Sequence, residues 1–230
     1  MLRNSEAVPS LLERIVDKYT PERTVLSCSF GAPEGILLLD MLTKIVGSSL
    51  HVVTIDTGRL PQQTHSFIDR VREKYAFELT VLYPDVVELH DLVTSRGMNC
   101  FYDSVGNRRK CCHARKITPF DKFISEHDIT ANITGLRRGQ SIERANTAMI
   151  ALDKRTNVTK ISPLVHWSSG DVESYVRMHS VPTNPLHEQG YESVGCSPCS
   201  RPGKGREGRW WWENDETKEC GLHYEKGSGI

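Results

Sequence analysis

The 230 residues are 38% apolar and 25% charged, with 29 basic against 29 acidic side chains, the make-up of an ordinary globular chain long enough for one sizeable domain. Zero formal charge argues against a nucleic-acid polymer as partner, and no run of 18 apolar residues is present to cross a membrane. The first ten residues lack a basic-then-apolar leader pattern, so a cytoplasmic location is expected, where seven cysteines serve as thiols or metal ligands rather than as a disulfide framework.

Leu11, Leu12, Ile15 and Val16 recur at helical spacing and predict a first helix. Thr24-Val25-Leu26-Ser27 is a β-rich run that breaks at Ser29-Phe30-Gly31-Ala32-Pro33. Ile36 to Val46 then reads as a buried helix, with Pro33 suited to its first turn. Leu50 to Asp56 is a second strand ending in Thr57-Gly58, and Pro61 to Tyr75 a helix. Glu78 to Tyr83 is a third strand, followed by a helix around Val86 to Val93. Cys111 to Ser125 reads as helix and Ile129 to Thr134 as a fourth strand; Val158 to Ile161 adds an edge strand. Asp171 to His179 is a short helix with Ser168 as its N-cap. Strands alternating with helices imply a parallel sheet with right-handed crossovers. After Pro182, Gly, Pro, Arg and Trp dominate and periodicity stops. The division expected is a domain over residues 1–199 and a loop-rich, partly mobile tail over 200–230.

Three groups carry chemistry. Ser27, Ser29 and Gly31 lie where the first strand hands over to a helix, and Asp56 closes the second strand. Ligands of open parallel sheets bind beyond such carboxyl ends, and a helix N-terminus offers free N–H groups to an anion. The vicinal pair Cys111-Cys112 and the Cys196-Ser197-Pro198-Cys199 pair form a quartet. Cys-x-x-Cys alone suits zinc, an iron–sulfur centre or a redox dithiol. Side chains of adjacent cysteines on a helix diverge by about 100°. A cuboidal cluster can use such a pair because it offers separate iron atoms to separate thiolates. Spacing therefore marks a metal site and leaves the metal open. Cys28 and Cys100 read as small buried apolar groups. Last comes Cys220, alone in a polar segment that follows Arg201, Arg206, Arg209 and Trp210-Trp211-Trp212. Nearby cations or His223 would raise its thiolate fraction. Arginines in such runs are often solvated surface, and at least two of the tryptophans are expected to be packing anchors.

Together these segments resemble the assimilatory adenylyl-sulfate (APS) reductases of the phosphoadenylyl-sulfate reductase family. The resemblance runs in order through Ser27-Cys28-Ser29-Phe30-Gly31, Asp56-Thr57-Gly58, Lys110 to Lys116, Thr134 to Ser141, Pro163-Leu164 before Trp167, Gly195 to Cys199, Gly208 to Glu213 and Glu219-Cys220-Gly221-Leu222-His223. It implies an α/β, Rossmann-like adenine nucleotide α-hydrolase-like fold. It implies a [4Fe–4S] cluster on Cys111, Cys112, Cys196 and Cys199, and Cys220 as nucleophile. Ser27, Ser29, Gly31, Asp56, Lys116, Arg137, Arg138, Arg206, Arg209 and His223 would bind substrate. Members that keep the quartet reduce APS; members without it generally take the 3′-phosphorylated form, PAPS. The electron donor implied is thioredoxin or a glutaredoxin-like protein. Three other readings stand beside it. The nearest is a thioredoxin-dependent PAPS reductase of the same fold, against which only the cysteine quartet argues. A tRNA-thiolating ATP pyrophosphatase would carry Ser-Gly-Gly-x-Asp-Ser where this chain has Ser29-Phe30-Gly31-Ala32-Pro33-Glu34. A zinc-stapled nucleotide-binding module would leave Cys220 and the arginines without a role. Composition sets no oligomeric state.

Overall fold

The computed structural model describes residues 3–214 and 218–219, the first four by backbone alone. Residues 215–217 and 220–230 of the expected tail, Cys220 and His223 among them, lie outside the described residues. A six-stranded sheet forms the middle layer. In chain order its strands are β1 (Thr24–Ser27), β2 (His51–Ile55), β3 (Glu78–Leu82), β4 (Ala131–Thr134), β5 (Ile150–Asp153) and β6 (Val158–Ile161), arranged 3-2-1-4-6-5. All neighbours run parallel except β5, which pairs antiparallel with β6. The expected parallel α/β sheet is present. One detail differs: Val158–Ile161 is an interior strand, and Ile150–Asp153, unassigned from the sequence, forms the edge.

Both faces of the sheet are covered, as parallel strands require. Alternation along β1 and β2 divides the core. Leu26 and Val52 are register partners and face one helical layer, while Val25 and Val53 face the other. The first layer holds α1 (Arg3–Tyr19), α2 (Pro33–Val46), α3 (Gln62–Lys74) and α7 (Ser169–Met178). α2 is apolar nearly all round, with Ile36, Leu37, Leu38 and Leu39 all at most 1% exposed, so it sits between the sheet and α1 and α7. α7 starts as expected: the Ser168 Oγ accepts from the Asp171 N–H at 3.1 Å and the Asp171 carboxylate accepts from the Ser168 N–H at 2.8 Å. The second layer is α6 (Thr118–Glu126), which packs Phe120, Phe123 and Ile124 on Val25 and Val53. α4 (Val86–Arg96) and α5 (Val105–Cys112) precede it. The helix expected across 111–125 is interrupted. α5 stops at Cys112, a π-turn spans His113–Ile117, and α6 resumes. Pro119 has no N–H to return to the carbonyl of Arg115, which favours a widened turn there. No helix among the described residues is long and apolar enough to cross a membrane.

Asp40, in the middle of α2, ties this layer together. Its carboxylate accepts from Lys44 at 2.6 Å, from the Tyr75 hydroxyl at 3.1 Å and from the Tyr175 hydroxyl at 2.8 Å. Burial works against its ionisation, but those three donors outweigh it and hold its pKa below the ordinary carboxylate value. A depressed carboxylate contributes stability above its unfolded pKa, and loses it as the pH falls through the folded pKa. Asp40→Asn should therefore cost about 1–3 kcal/mol in urea unfolding at neutral pH, with the gap to the parent closing below about pH 4. Equal stability at neutral pH would contradict this account of the layer.

Candidate active site: an arginine-walled pocket beside four cysteines

The pocket opens beyond the carboxyl ends of β1, β2 and β4, where connections leave the sheet in opposite directions. Ser27 and Ser29 line it from β1, Ile55 and Thr57 from β2, and Asn132 and Thr134 from β4. The Ser27 hydroxyl donates to Asn132 Oδ1 at 2.8 Å across the β1–β4 boundary. Phe30 turns the loop with φ 53°, a left-handed conformation uncommon for a bulky residue. Its fully buried ring offsets that strain, set edge-on against Phe67, while its carbonyl accepts from Asn184 at 3.0 Å. Gly31 is absent from the wall but lets the wall close: a Cβ there would sit 2.5 Å from the Val194 carbonyl oxygen. Val194 in turn donates its N–H to the Gly31 carbonyl at 3.2 Å. α2 begins at Pro33 with no side-chain cap, and its first turn faces the pocket. Its N–H groups and dipole favour an anion.

The opposite wall is cationic and comes from the C-terminal segment. Arg206, Arg209 and Trp210 line the pocket, with Arg144 from the turn after β4 and Lys116 from the π-turn. Arg209 is 6% exposed, packs its guanidinium on Trp210 at 4.7 Å and lies against Gly195, where any Cβ would collide with it. It forms no ion pair among the described residues, and its buried Nε has no hydrogen-bond partner. A guanidinium so desolvated is costly unless a negative charge joins it. Arg144 grips the Glu219 carboxylate through two bonds of 2.8 and 2.9 Å, and Arg206 adds a third at 3.0 Å.

Beside the pocket lies a second cavity, lined by all four cysteines of the quartet with Phe101, Arg108, Arg115 and Lys116. Cys111 and Cys112 end α5, and Cys196 and Cys199 bracket a tight turn whose Ser197 N–H donates to the Arg59 carbonyl at 2.8 Å. Cys196 Sγ is 3.1 Å from the Thr57 hydroxyl. Burial opposes ionisation of Cys196, but Lys116, the Thr57 hydroxyl, Arg209 and Arg115 outweigh it and draw its pKa below the usual thiol value. Burial and the neighbouring Cys196 push Cys199 up to about 12, and burial raises Cys111. The described cysteines are free thiols. Among the described residues no three metal-binding side chains converge on a single-ion site. Four thiols line this one cavity with Arg108, Arg115 and Lys116 beside them, a set of donors chemically suited to an iron–sulfur group.

The expected site residues divide. Ser27, Ser29, Lys116, Arg206 and Arg209 stand on the pocket wall, and Gly31 stands behind it. Asp56 is turned into its own loop, accepting from the Gly58 N–H at 2.9 Å and pairing with His65 at 3.0 Å. Arg137 is buried on Glu34 at 2.7 Å and on the Trp167 carbonyl at 3.2 Å. Arg138 is exposed and donates to the Thr147 carbonyl at 2.9 Å. None of these three lines the pocket. Of the tryptophans, Trp210 is buried, Trp212 packs on Tyr102 and Trp211 is 40% exposed. Sequence reasoning missed Arg108, Arg144, Glu213 and Glu219. Arg108 is 1% exposed, holds Glu213 through two bonds of 2.8 Å, and donates to the Glu219 carbonyl at 3.1 Å. Such partners are about a hundred residues apart, and no local spacing announces them.

Residues 23–202 match the family model for the phosphoadenosine phosphosulfate reductase domain. Curated relatives include the adenosine 5′-phosphosulfate reductase of Burkholderia cepacia, 39% identical over 95% of this chain and 86% of its own length. That of Allochromatium vinosum is 41% identical over 86% of this chain and 78% of its own. Among solved structures, the phosphoadenylyl-sulfate reductase of Candida auris in its phosphate complex has a TM-score of 0.65 at 23% identity, covering 83% of this chain and 94% of that one. Candida glabrata FMN adenylyltransferase in complex with ATP has a TM-score of 0.63 at 17% identity, covering 94% and 73%. At these identities the structural likenesses speak for the fold alone.

Arg108 and Glu213 are each almost fully buried, so neither tolerates loss of the other. Arg108→Met or Glu213→Met alone should each destabilise by about 3–5 kcal/mol. The double variant should recover much of that loss, because no buried charge is then left alone. Additive losses in urea unfolding would show that the pair does not anchor the segment.

Proposed function

The chain belongs to the phosphoadenosine phosphosulfate reductase family, and we propose that it reduces APS to sulfite and AMP with a dithiol protein, thioredoxin or a glutaredoxin-like donor, as reductant. The observation that carries the reading is the adjacency of two cavities that share Lys116: an arginine-walled pocket at the sheet switch point, and a cavity ringed by four cysteines. The names of the relatives and the intact quartet favour APS over PAPS. Free thiols and a dithiol donor suit a reducing compartment such as the cytoplasm.

In this reading the adenosine lies along the ends of β1, β2 and β4. The phosphosulfate meets the Ser27–Gly31 loop, the first turn of α2, Lys116, Arg206 and Arg209. Arg209 gains the negative charge that its burial calls for. Arg137 acts indirectly: it holds Glu34, which also accepts from Gln140 at 3.0 Å, while Gln140 accepts from Arg144. Asp56 and Arg138 set the shape of their loops. The Cys220 thiolate attacks the substrate's sulfur. A sulfur–sulfur bond forms and the oxygen–sulfur bond to phosphate breaks, its electron pair leaving on AMP. The cations around the phosphosulfate stabilise the charge that grows on that leaving oxygen. A thiolate of the donor then attacks Cys220 sulfur and expels sulfite. The donor's second thiol resolves the mixed disulfide, so the dithiol supplies both electrons. His223 is assigned to support the Cys220 thiolate, and residues 200–230 to act as the segment that delivers it. Cys111, Cys112, Cys196 and Cys199 would hold a [4Fe–4S] cluster, which when bound supplies bracing and a fixed charge pattern.

Two measurements test this. Cys220→Ser should bind APS with near-parent affinity and release no sulfite; sustained turnover by that variant would remove Cys220 from the mechanism. Protein isolated without oxygen should be brown, with broad absorbance near about 400 nm and iron in proportion. A colourless, zinc-bound and fully active protein would overturn the cluster assignment.

A further inference from the structure

The carboxylate of Glu219 is one of the most constrained acidic groups in the described chain. Its residue is 7% exposed. Arg144 meets it side-on, with Nε and Nη2 each donating to a different oxygen, and Arg206 donates to it from a third direction. The backbone is held as well. Arg206 donates to the Lys218 carbonyl and Arg108 to the Glu219 carbonyl, both at 3.1 Å. Exposed ion pairs are loose and salt-screened, whereas a buried carboxylate shared by two guanidiniums, one of them bidentate, has a fixed orientation. Arg144 and Arg206 both line the substrate pocket, and Arg108 lines the cysteine cavity. Glu219 therefore stands where the two cavities and the C-terminal segment meet. The next residue in the chain is Cys220.

We infer that Glu219 is a positioning residue: its carboxylate, locked between Arg144 and Arg206 at the pocket wall, anchors the chain one residue before Cys220 and delivers that thiol to bound substrate. The inference deepens the reading above and rests on Cys220 as nucleophile. Consecutive Cα atoms are about 3.8 Å apart, so a fixed residue 219 restricts where the attacking sulfur can be. Near-attack geometry is sensitive on the ångström scale. Glu219 itself makes no bond to the reacting atoms. Loss of its charge should appear as a slower attack, while nucleotide affinity should hold or tighten, because Arg206 loses a carboxylate that competes with the phosphosulfate.

The test uses full-length protein with Glu219→Gln, which keeps the shape and removes the charge, and Glu219→Asp, which keeps the charge on a shorter arm. Without donor, a single turnover with APS is quenched at intervals, and the sulfonate adduct on the Cys220 peptide is followed by mass. Glu219→Gln should slow adduct formation by up to about a hundredfold with no weakening of APS binding, and Glu219→Asp should regain part of the rate. Adduct formation at the parent rate in Glu219→Gln, or a loss carried wholly by affinity, would overturn the proposal. A substrate-free arm separates this inference from the assignment of function. Iodoacetamide labelling of Cys220, mapped by peptide mass, should accelerate about fivefold in Glu219→Gln, as expected for releasing an anchor of this kind. If the parent forms no adduct from APS, the assignment of function fails, and the labelling rate still decides the anchor. An unchanged labelling rate would overturn it.

Discussion

A guanidinium removed from water must meet a negative charge, and the arrangement of this protein follows from how it meets that demand. Arg137 is answered by Glu34, Arg108 by Glu213, and Arg144 and Arg206 by Glu219. Arg137–Glu34 and Arg108–Glu213 join segments about a hundred residues apart and Arg144–Glu219 segments 75 apart, while Arg206 and Glu219 are 13 apart on the same C-terminal segment. Each lies at the carboxyl edge of the sheet or on the segment that folds over it. Arg115 and Arg209 are as buried and have no acidic partner among the described residues: Arg115 donates to the Thr57 carbonyl, and Arg209 faces the pocket. The pairs build a wall, and Arg209 brings to it a buried positive charge that an anion would answer.

The same economy couples the two cavities. Lys116 lines both, carried there by the π-turn that Pro119 favours. Arg209 lines the pocket and also lowers the cost of charge on Cys196 and Cys199. Arg108 lines the cysteine cavity, stacks on Trp210 and holds the carbonyl of Glu219. A charge placed among the four cysteines is thus felt at the pocket through shared cations rather than through a separate relay. Glu213 and Glu219 of the C-terminal segment are held by the same set of arginines.

The legible parts of the sequence were those with local signals. The first four strands showed as β-rich runs, and the helices α2, α3 and α7 as apolar periodicity or a cap. β5 was not legible because its apolar residues, Ile150 and Leu152, point outward at an edge and are 52% and 55% exposed, so nothing in the pattern marked a buried face. That omission also placed β6 at the edge. In the site, Ser27, Ser29, Lys116, Arg206 and Arg209 were readable from strand ends and motif positions. Asp56, Arg137 and Arg138 occupy equally suggestive positions but turn their side chains into a loop, a buried pair and the surface. Position along a strand end does not decide side-chain direction. Arg144 and Glu219 could not be found by spacing, because each is defined by a partner distant in sequence.

The central claim is that the arginine-walled pocket and the cysteine-lined cavity serve sulfur reduction on an adenylyl sulfate lacking a 3′-phosphate. The most direct measurement is sulfite release from APS and from PAPS, supplied separately at equal concentration with reduced thioredoxin as the sole source of electrons. The account predicts steady sulfite release from APS and a much lower rate from PAPS. A preference for PAPS, or no sulfite from either, would contradict it.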